Sequence, residues 1–245
     1  MSELLKTEAV VLNKINFGDT SKIVHFFTEE YGKLSAILKG ARSPKSKIGV
    51  ALDSFNIVQI VFYKKETRDI QIISQVDLIK HFHKINEDLE KMKYSSAVIE
   101  LLHNLTAEYE PHKKLYKGTV RILEMINEAK YTPKFLFVKY FIFFIKEIGY
   151  EIPYENCTNC GKKLVNEKRI SFNLEKGFLC ETCRSVSESF FDFTKELFNF
   201  FVCLNSKINN VSYEHDDLNK IIFFLEKYLM YHVHEFKGLR SIKLY

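Results

Sequence analysis

The sequence predicts an α+β protein: a small β-barrel, then a helical domain into which a four-cysteine module is inserted. Three observations carry that expectation. Five short β-rich runs, separated by turn signals, fill the first 80 or so residues. From about residue 84 the apolar period changes from two to the helical one. Two Cys-x-x-Cys pairs then interrupt the helices.

The β-rich runs are Leu5–Asn13, Lys22–Thr28, Leu34–Lys39, Phe55–Tyr63 and Asp69–Val76. Gly18-Asp19, Tyr31-Gly32, Ser43-Pro44 and Lys64–Thr67 supply the turns between them. Five short strands in about 75 residues suggest a small closed or partly closed barrel. An OB-type barrel fits the strand count, and so does an SH3-like one; periodicity does not choose between them. The expected division is a barrel over residues 1–80 and a helical domain over 81–245, with the cysteine module at 150–185.

The first helix is expected over Ile85–Tyr109, ended by Pro111, and the second over Lys113–Lys130. Pro133 suits the first turn of a third, Lys134–Ile148, which is apolar on nearly every side and is therefore a buried helix. After the cysteine module come two more, near Glu188–Asn205 and Asp216–His234, the second opening on an acidic pair that favours the positive end of its dipole.

Cys157-Thr158-Asn159-Cys160 and Cys180-Glu181-Thr182-Cys183 are separated by the 19 residues from Gly161 to Leu179. Two residues between paired cysteines let one tight turn aim both sulfurs at a single ion. Gly161 can take the positive φ that such a turn needs. Arg169–Asn173 and Phe178–Cys180 read as hairpin arms turning at Gly177, which return the second pair to the first. The spacing predicts one structural Zn²⁺ per chain on Cys157, Cys160, Cys180 and Cys183, making the domain a helical one with an inserted four-cysteine zinc module. A catalytic zinc keeps one position open to water, which four thiolates do not. The fifth cysteine, Cys203, is expected in the core. His81-x-His83 and His232-x-His234 lack a third ligand at suitable spacing and read as surface or edge histidines.

Other functions are not supported. No GxxxxGK[ST], GxGxxG or GxSxG motif occurs, so neither nucleotide hydrolysis, dinucleotide binding nor an acyl-transfer nucleophile is expected. The chain reads as no enzyme. The most apolar stretch, Phe135 to Ile148, is too short and too charged to span a bilayer. Glu3, Lys6, Glu8 and Asn13 break up any signal-like run at the N-terminus, and paired cysteines at metal spacing suit a reducing compartment, so a cytoplasmic location is expected.

The net charge is +5, and lysine outnumbers arginine 30 to 6. Lysine meets phosphate as a point charge, whereas arginine reads bases through two donors at once, so the ratio leans toward sequence-neutral binding. Lys39-Gly40-Ala41-Arg42-Ser43-Pro44-Lys45-Ser46-Lys47 holds four positive charges and no acid, in a loop-forming context. Lys64, Lys65 and Arg68 form a second group between the last two strands, a connection that binds oligonucleotides in OB-folds. Each alone reads as solvated surface; together on one barrel they favour nucleic acid. Phe17, Phe26, Phe27, Phe62 and Tyr63 are candidates to stack bases, with core packing the ordinary role for most of them. Lys113, Lys117 and Arg121 recur at four-residue spacing on one helix face.

These residues together resemble the bacterial RecO family of recombination mediators. The resemblance runs through Gly18–Ile23, Thr28–Leu34, the basic loop Lys39 to Lys47, Gly149-Tyr150-Glu151-Ile152-Pro153 and both cysteine pairs, nearly the whole chain. Ser43 stands where a second arginine is often found after Arg42. The resemblance implies an OB-fold and a helical domain with a zinc module. It implies binding of single- and double-stranded DNA and annealing of complementary strands in a nucleoid-associated protein. It further implies partnership with RecR and with the acidic tail of single-strand-binding protein, in support of RecA loading. The alternative from the residues themselves is a zinc-ribbon protein-interaction or transcription-associated module without direct DNA binding.

Overall fold

A computed structural model describes residues 2–42, 48–128, 130–184, 190–206 and 213–244, leaving aside the side chain of His215. Five strands open the chain: β1 (Glu3–Phe17), β2 (Ser21–Thr28), β3 (Gly32–Leu38), β4 (Ile57–Lys64) and β5 (Ile70–Lys80). They close into a barrel in the order β1-β2-β3-β5-β4, with β1 returning to β4. Every pairing is antiparallel except β3 with β5. This Greek-key closure is the OB-type arrangement and answers the question that periodicity left open.

One long strand serves both ends of the barrel. β1 pairs with β4 over Glu3–Val10 and with β2 over Ala9–Phe17, and an irregularity between Val11 and Asn13 bends it from one partner to the other. Val24, Phe26, Leu34, Ala36, Val58, Ile60 and Phe62 point inward and are buried. Burying a side chain such as Phe26 or Phe62 contributes about 1.5–3 kcal/mol, which specifies the register.

The expected first helix is two: α1 (His83–Asn86) and α2 (Leu89–Leu105). Asp88 splits them because its carboxylate accepts from the backbone N–H of Lys91 at 3.0 Å and caps α2. The chain after α2 runs beside β3, where the N–H of Tyr109 donates to the carbonyl of Lys33 at 2.9 Å. Gly32 has φ +67°, and a Cβ there would lie 2.1 Å from the carbonyl oxygen of Glu110, so this passage needs glycine. α3 (Lys113–Glu128) and α4 (Pro133–Glu147) follow as expected, and α4 buries Phe135, Phe137, Phe141 and Phe144. No helix among the described residues is long and apolar enough to cross a membrane.

In the cysteine region, β6 (Arg169–Asn173) and β7 (Gly177–Cys180) form the expected hairpin, and α5 (Glu181–Arg184) carries the last cysteine. β8 (Phe191–Thr194) was expected as helix; instead it pairs antiparallel with β6, and α6 (Lys195–Asn205) begins only after it. Thr194 ends the strand and caps the helix, its hydroxyl accepting from the N–H of Leu197 at 3.2 Å. Strand formation lets Phe193 join Phe172 and Phe178 in a buried aromatic cluster with Phe198, Phe201 and Phe224. Phe224 belongs to α7 (His215–His232), whose start carries a capping box between Glu214 and Asp217.

The chain packs as two compact units, Met1–Phe137 with Leu239–Tyr245, and Val138–Gly238. The barrel strands end at Lys80, and α1 to α3 fall with the barrel in the first unit.

Candidate metal centre and nucleic-acid face

The four expected ligands come together. The Sγ atoms of Cys157, Cys160, Cys180 and Cys183 all lie within 4.8 Å of one another. Cys160 and Cys180 are 3.7 Å apart, close to the roughly 3.8 Å edge of a tetrahedron with zinc–sulfur bonds of about 2.3 Å. The donor set is sulfur alone, which suits a soft tetrahedral ion. Cys157, Cys180 and Cys183 are buried and Cys160 is exposed.

Two tight turns aim these sulfurs. The N–H of Gly161 donates to the carbonyl of Cys157 at 2.8 Å, and the N–H of Cys157 to that of Lys162 at 2.7 Å, with Gly161 at φ +75°. The N–H of Thr158 donates to the carbonyl of Phe178 at 2.9 Å, which fastens the first turn to the strand leading into the second. Gly177 lies against it: a Cβ there would come 3.1 Å from Cγ2 of Thr158. Asn159 donates its amide to the sulfur of Cys183 at 3.3 Å. Burial opposes charge on Cys157, yet the backbone N–H groups of Cys180, Cys160 and Asn159 aim at its sulfur and bring its pKa down to about 6. Cys160 is shifted the other way: the backbone of Lys162 lowers its pKa, but hydrogen bonds with the Cys157 and Cys183 sulfurs outweigh that and raise it.

Glu167 and Lys162 were not singled out in the sequence. Their ion pair spans 2.6 Å, and the other oxygen of Glu167 accepts from the N–H of Glu181 at 3.2 Å. The Lys162 ammonium holds the Glu167 carboxyl below its ordinary range, and burial opposes it. A carboxylate placed between two cysteine turns was the available signal.

The other metal-like features dissolve. His81 and His83 are both exposed, and His81 bonds Asn56 at 2.9 Å. His232 packs among Tyr150, Tyr228 and Tyr231. Neither pair belongs to a metal-capable cluster among the described residues. Cys203 is only partly buried, a correction to its expected core position, because it sits on the flank of α6 while Phe200, Phe201 and Leu204 take the inner face.

On the barrel, Lys39 and Arg42 are exposed just after β3. Arg42 is anchored to the β1–β2 turn: its N–H donates to the carbonyl of Thr20 and its guanidinium to that of Gly18, both at 2.9 Å. Lys45 and Lys47 lie outside the described residues. In the β4–β5 connection, Lys65 is exposed, Arg68 is half-buried, and Lys64 lies 5.9 Å over the ring of Tyr31. Lys65 and Arg68 alternate there with Glu66 and Asp69, so this connection is nearly balanced in charge. Of the stacking candidates, Phe26, Phe27 and Phe62 are fully buried. Phe27 faces outward but lies opposite Lys33, where the chain after α2 covers β3. Phe17 and Tyr63 remain exposed, at 53% and 39%. On α3, Lys113, Lys117 and Arg121 share an exposed face, and Lys117 lies 3.6 Å from Glu29.

Comparison with known proteins follows this architecture. Residues 1–82 match the family Recombination protein O N terminal, and residues 86–241 match Recombination protein O C terminal. The DNA repair protein RecO of Chloroherpeton thalassium is 27% identical over 251 residues, covering 98% of this chain and 97% of the relative. That of Prosthecochloris aestuarii is 33% identical over 162 residues, covering 66% of this chain and 61% of the relative. That of Salinibacter ruber is 38% identical over 127 residues, covering 52% and 49%.

Proposed function

Since the chain belongs to the RecO family of DNA repair proteins, we propose that it is a non-catalytic protein that binds single- and double-stranded DNA and anneals complementary strands. In this reading it works with RecR and the acidic tail of single-strand-binding protein to help load RecA on coated DNA. The observation that carries the reading is the exposed pair Lys39 and Arg42, pinned beside the β1–β2 turn of an OB-type barrel. Annealing needs backbones held without sequence readout, and point charges on a rigid barrel supply that.

The metal is read as one structural Zn²⁺. Cys157, Cys160, Cys180 and Cys183 would hold it, and it would supply cross-linking of the two turns rather than Lewis-acid chemistry, because four sulfurs fill a tetrahedral shell. The exposed Lys113, Lys117 and Arg121 face on α3 is read as the seat of the acidic tail. The remaining phosphate contacts are assigned to Lys45, Lys47, Lys64, Lys65 and Arg68.

Fluorescence anisotropy with a labelled oligonucleotide tests the reading. The parent protein should bind single strands and duplexes with affinities that fall steeply with salt. Lys39→Ala with Arg42→Ala should weaken both. Binding unchanged by that pair would favour the protein-interaction alternative.

A further inference from the structure

The four cysteines are not evenly sheltered. Cys157, Cys180 and Cys183 are buried, whereas Cys160 is exposed, and so are its neighbours Asn159, Gly161 and Lys162. One member of an otherwise enclosed set therefore meets solvent. The other three differ in what holds them. Backbone N–H groups of Cys180, Cys160 and Asn159 aim at the Cys157 sulfur, and the Asn159 amide donates to that of Cys183. The Cys180 sulfur lies 3.7 Å from that of Cys160. That contact runs from one turn to the other. Cys160 closes the first pair and Cys180 opens the second, with 19 residues between them.

Groups other than sulfur also fasten the two turns. Thr158 donates its N–H at 2.9 Å and its hydroxyl at 3.0 Å to the carbonyl of Phe178. Glu167 takes Lys162 on one side and the N–H of Glu181 on the other. Ile170 pairs with Cys180 across the β6–β7 hairpin. None of these contacts needs a metal, so they keep Cys160 beside Cys180 after an ion has left. A cysteine bound to zinc is held as thiolate. Among thiolates, the exposed one is oxidised first. Access therefore selects Cys160 as the sulfur that an oxidant reaches, and proximity selects Cys180 as its resolving partner.

We propose that Cys160 is an oxidation site: hydrogen peroxide links it to Cys180 as a disulfide, which releases the metal while the module stays folded. The inference rests on the zinc reading and adds what the cluster does under oxidation. First, the Cys160 thiolate attacks a peroxide oxygen. An S–O bond forms, the O–O bond breaks, and hydroxide leaves a sulfenic acid behind. Next, the Cys180 thiolate attacks the Cys160 sulfur. The S–S bond forms, the S–O bond breaks, and a second hydroxide departs. In sum, two thiolates and one hydrogen peroxide give one disulfide and two hydroxides; sulfur loses the two electrons that the peroxide gains. The two thiolates left cannot close a tetrahedral shell, so zinc is lost. Because the new bond joins one turn to the other, it takes over the cross-link that the ion supplied. A disulfide within either pair would leave the turns unlinked. A dithiol reductant reverses the S–S bond and restores four ligands.

The test treats the full-length, zinc-loaded protein with a small molar excess of hydrogen peroxide. A chromogenic chelator follows the metal, and alkylation with mass measurement counts free thiols. About one zinc per chain should leave as two thiols disappear. Trypsin cuts after Lys146, Lys162, Lys176 and Arg184, so Cys157 and Cys160 share one peptide and Cys180 and Cys183 another. Oxidised protein should yield these two peptides joined, with fragmentation placing the bond between Cys160 and Cys180. Its urea midpoint should lie above that of reduced protein stripped by chelator, because only the oxidised chain keeps a closed loop. Dithiothreitol with zinc should restore the metal. Cys203→Ser, which removes the one thiol outside the cluster, should give the same result. Separate peptides, a bond to any other cysteine, or zinc retained under peroxide would overturn the inference. So would a midpoint at or below that of the stripped protein. Zinc-loaded protein that fails in these ways leaves the zinc reading standing; freshly made protein without zinc removes both.

Discussion

Glu167 ties the two cysteine turns together through Lys162: one carboxylate oxygen takes the Lys162 ammonium at 2.6 Å, while the other accepts from the backbone of Glu181, between Cys180 and Cys183. The Glu167 side chain is only 8% exposed, whereas that of Lys162 is 58% exposed, so the carboxylate is shielded while the ammonium faces solvent. The pair links the two turns through contacts that involve none of the four sulfurs. Glu167→Gln keeps the shape but removes the charge that holds Lys162. Partners behind the ligands commonly contribute about 10–100-fold to metal affinity. Chelator competition should show zinc leaving this variant about tenfold more readily, and release equal to the parent's would show that the clamp does not support the site.

Replacing Cys157 and Cys160 by Ser should abolish zinc, about one per chain in the parent by metal analysis. The turns then lose their cross-link, and the aromatic cluster around Phe178 loses the support of the Thr158 hydrogen bond. The melting temperature should fall by several degrees, while DNA affinity per folded molecule changes little. Freshly made parent protein without zinc would contradict this.

His25 and His103 lie 5.3 Å apart with Lys33 and Glu108 around them. Burial is the largest influence on both and lowers their pKa values; Lys33 lowers them further, and Glu108 opposes. Lys33 itself is lowered by burial and donates to the carbonyl of His103 at 2.7 Å. Above the unfolded histidine value of about 6.5, both rings are neutral in either state and stability is full. As pH falls below it, the unfolded chain takes up protons that the folded one resists, so stability drops until the folded pKa values are passed. Urea midpoints from pH 7.5 to 5.5 should decline for the parent and decline less for His103→Gln. Parallel declines would remove this pair as the cause.

Lys117→Glu with Arg121→Glu should weaken binding of an acidic peptide ending in the tail of single-strand-binding protein. Lys117 is 71% exposed and its pairing with Glu29 is worth about 0–1 kcal/mol, so the fold should tolerate the change. Calorimetry giving the parent's affinity would return this face to ordinary surface.

The four-cysteine cluster was legible in the sequence because its information is local: two short turns and a hairpin, each readable from spacing. The barrel strands were legible from their period of two. β8 was not, because Phe191-Asp192-Phe193-Thr194 runs directly into α6 and its strand identity depends on pairing with β6. Phe26 and Phe27 could not be told apart as neighbours on opposite faces, since the chain after α2 covers the outer one. The outward alignment of apolar residues across the barrel strands was hidden for a different reason. Ile15, Ile23, Ile37, Ile72 and Tyr63 are scattered along the chain and become neighbours only through register.

The central claim is that the loop after β3 holds phosphates. The slope of log affinity against log salt for single-stranded DNA tests it most directly. Each neutralised phosphate on a single strand contributes about −0.7, so four cations contribute about −2.8. Replacing Lys39, Arg42, Lys45 and Lys47 with Ala should flatten the slope by about 2 to 3 units, similarly for every sequence, with zinc content unchanged. A slope equal to the parent's would contradict the claim and leave Lys64, Lys65 and Arg68 as the phosphate contacts.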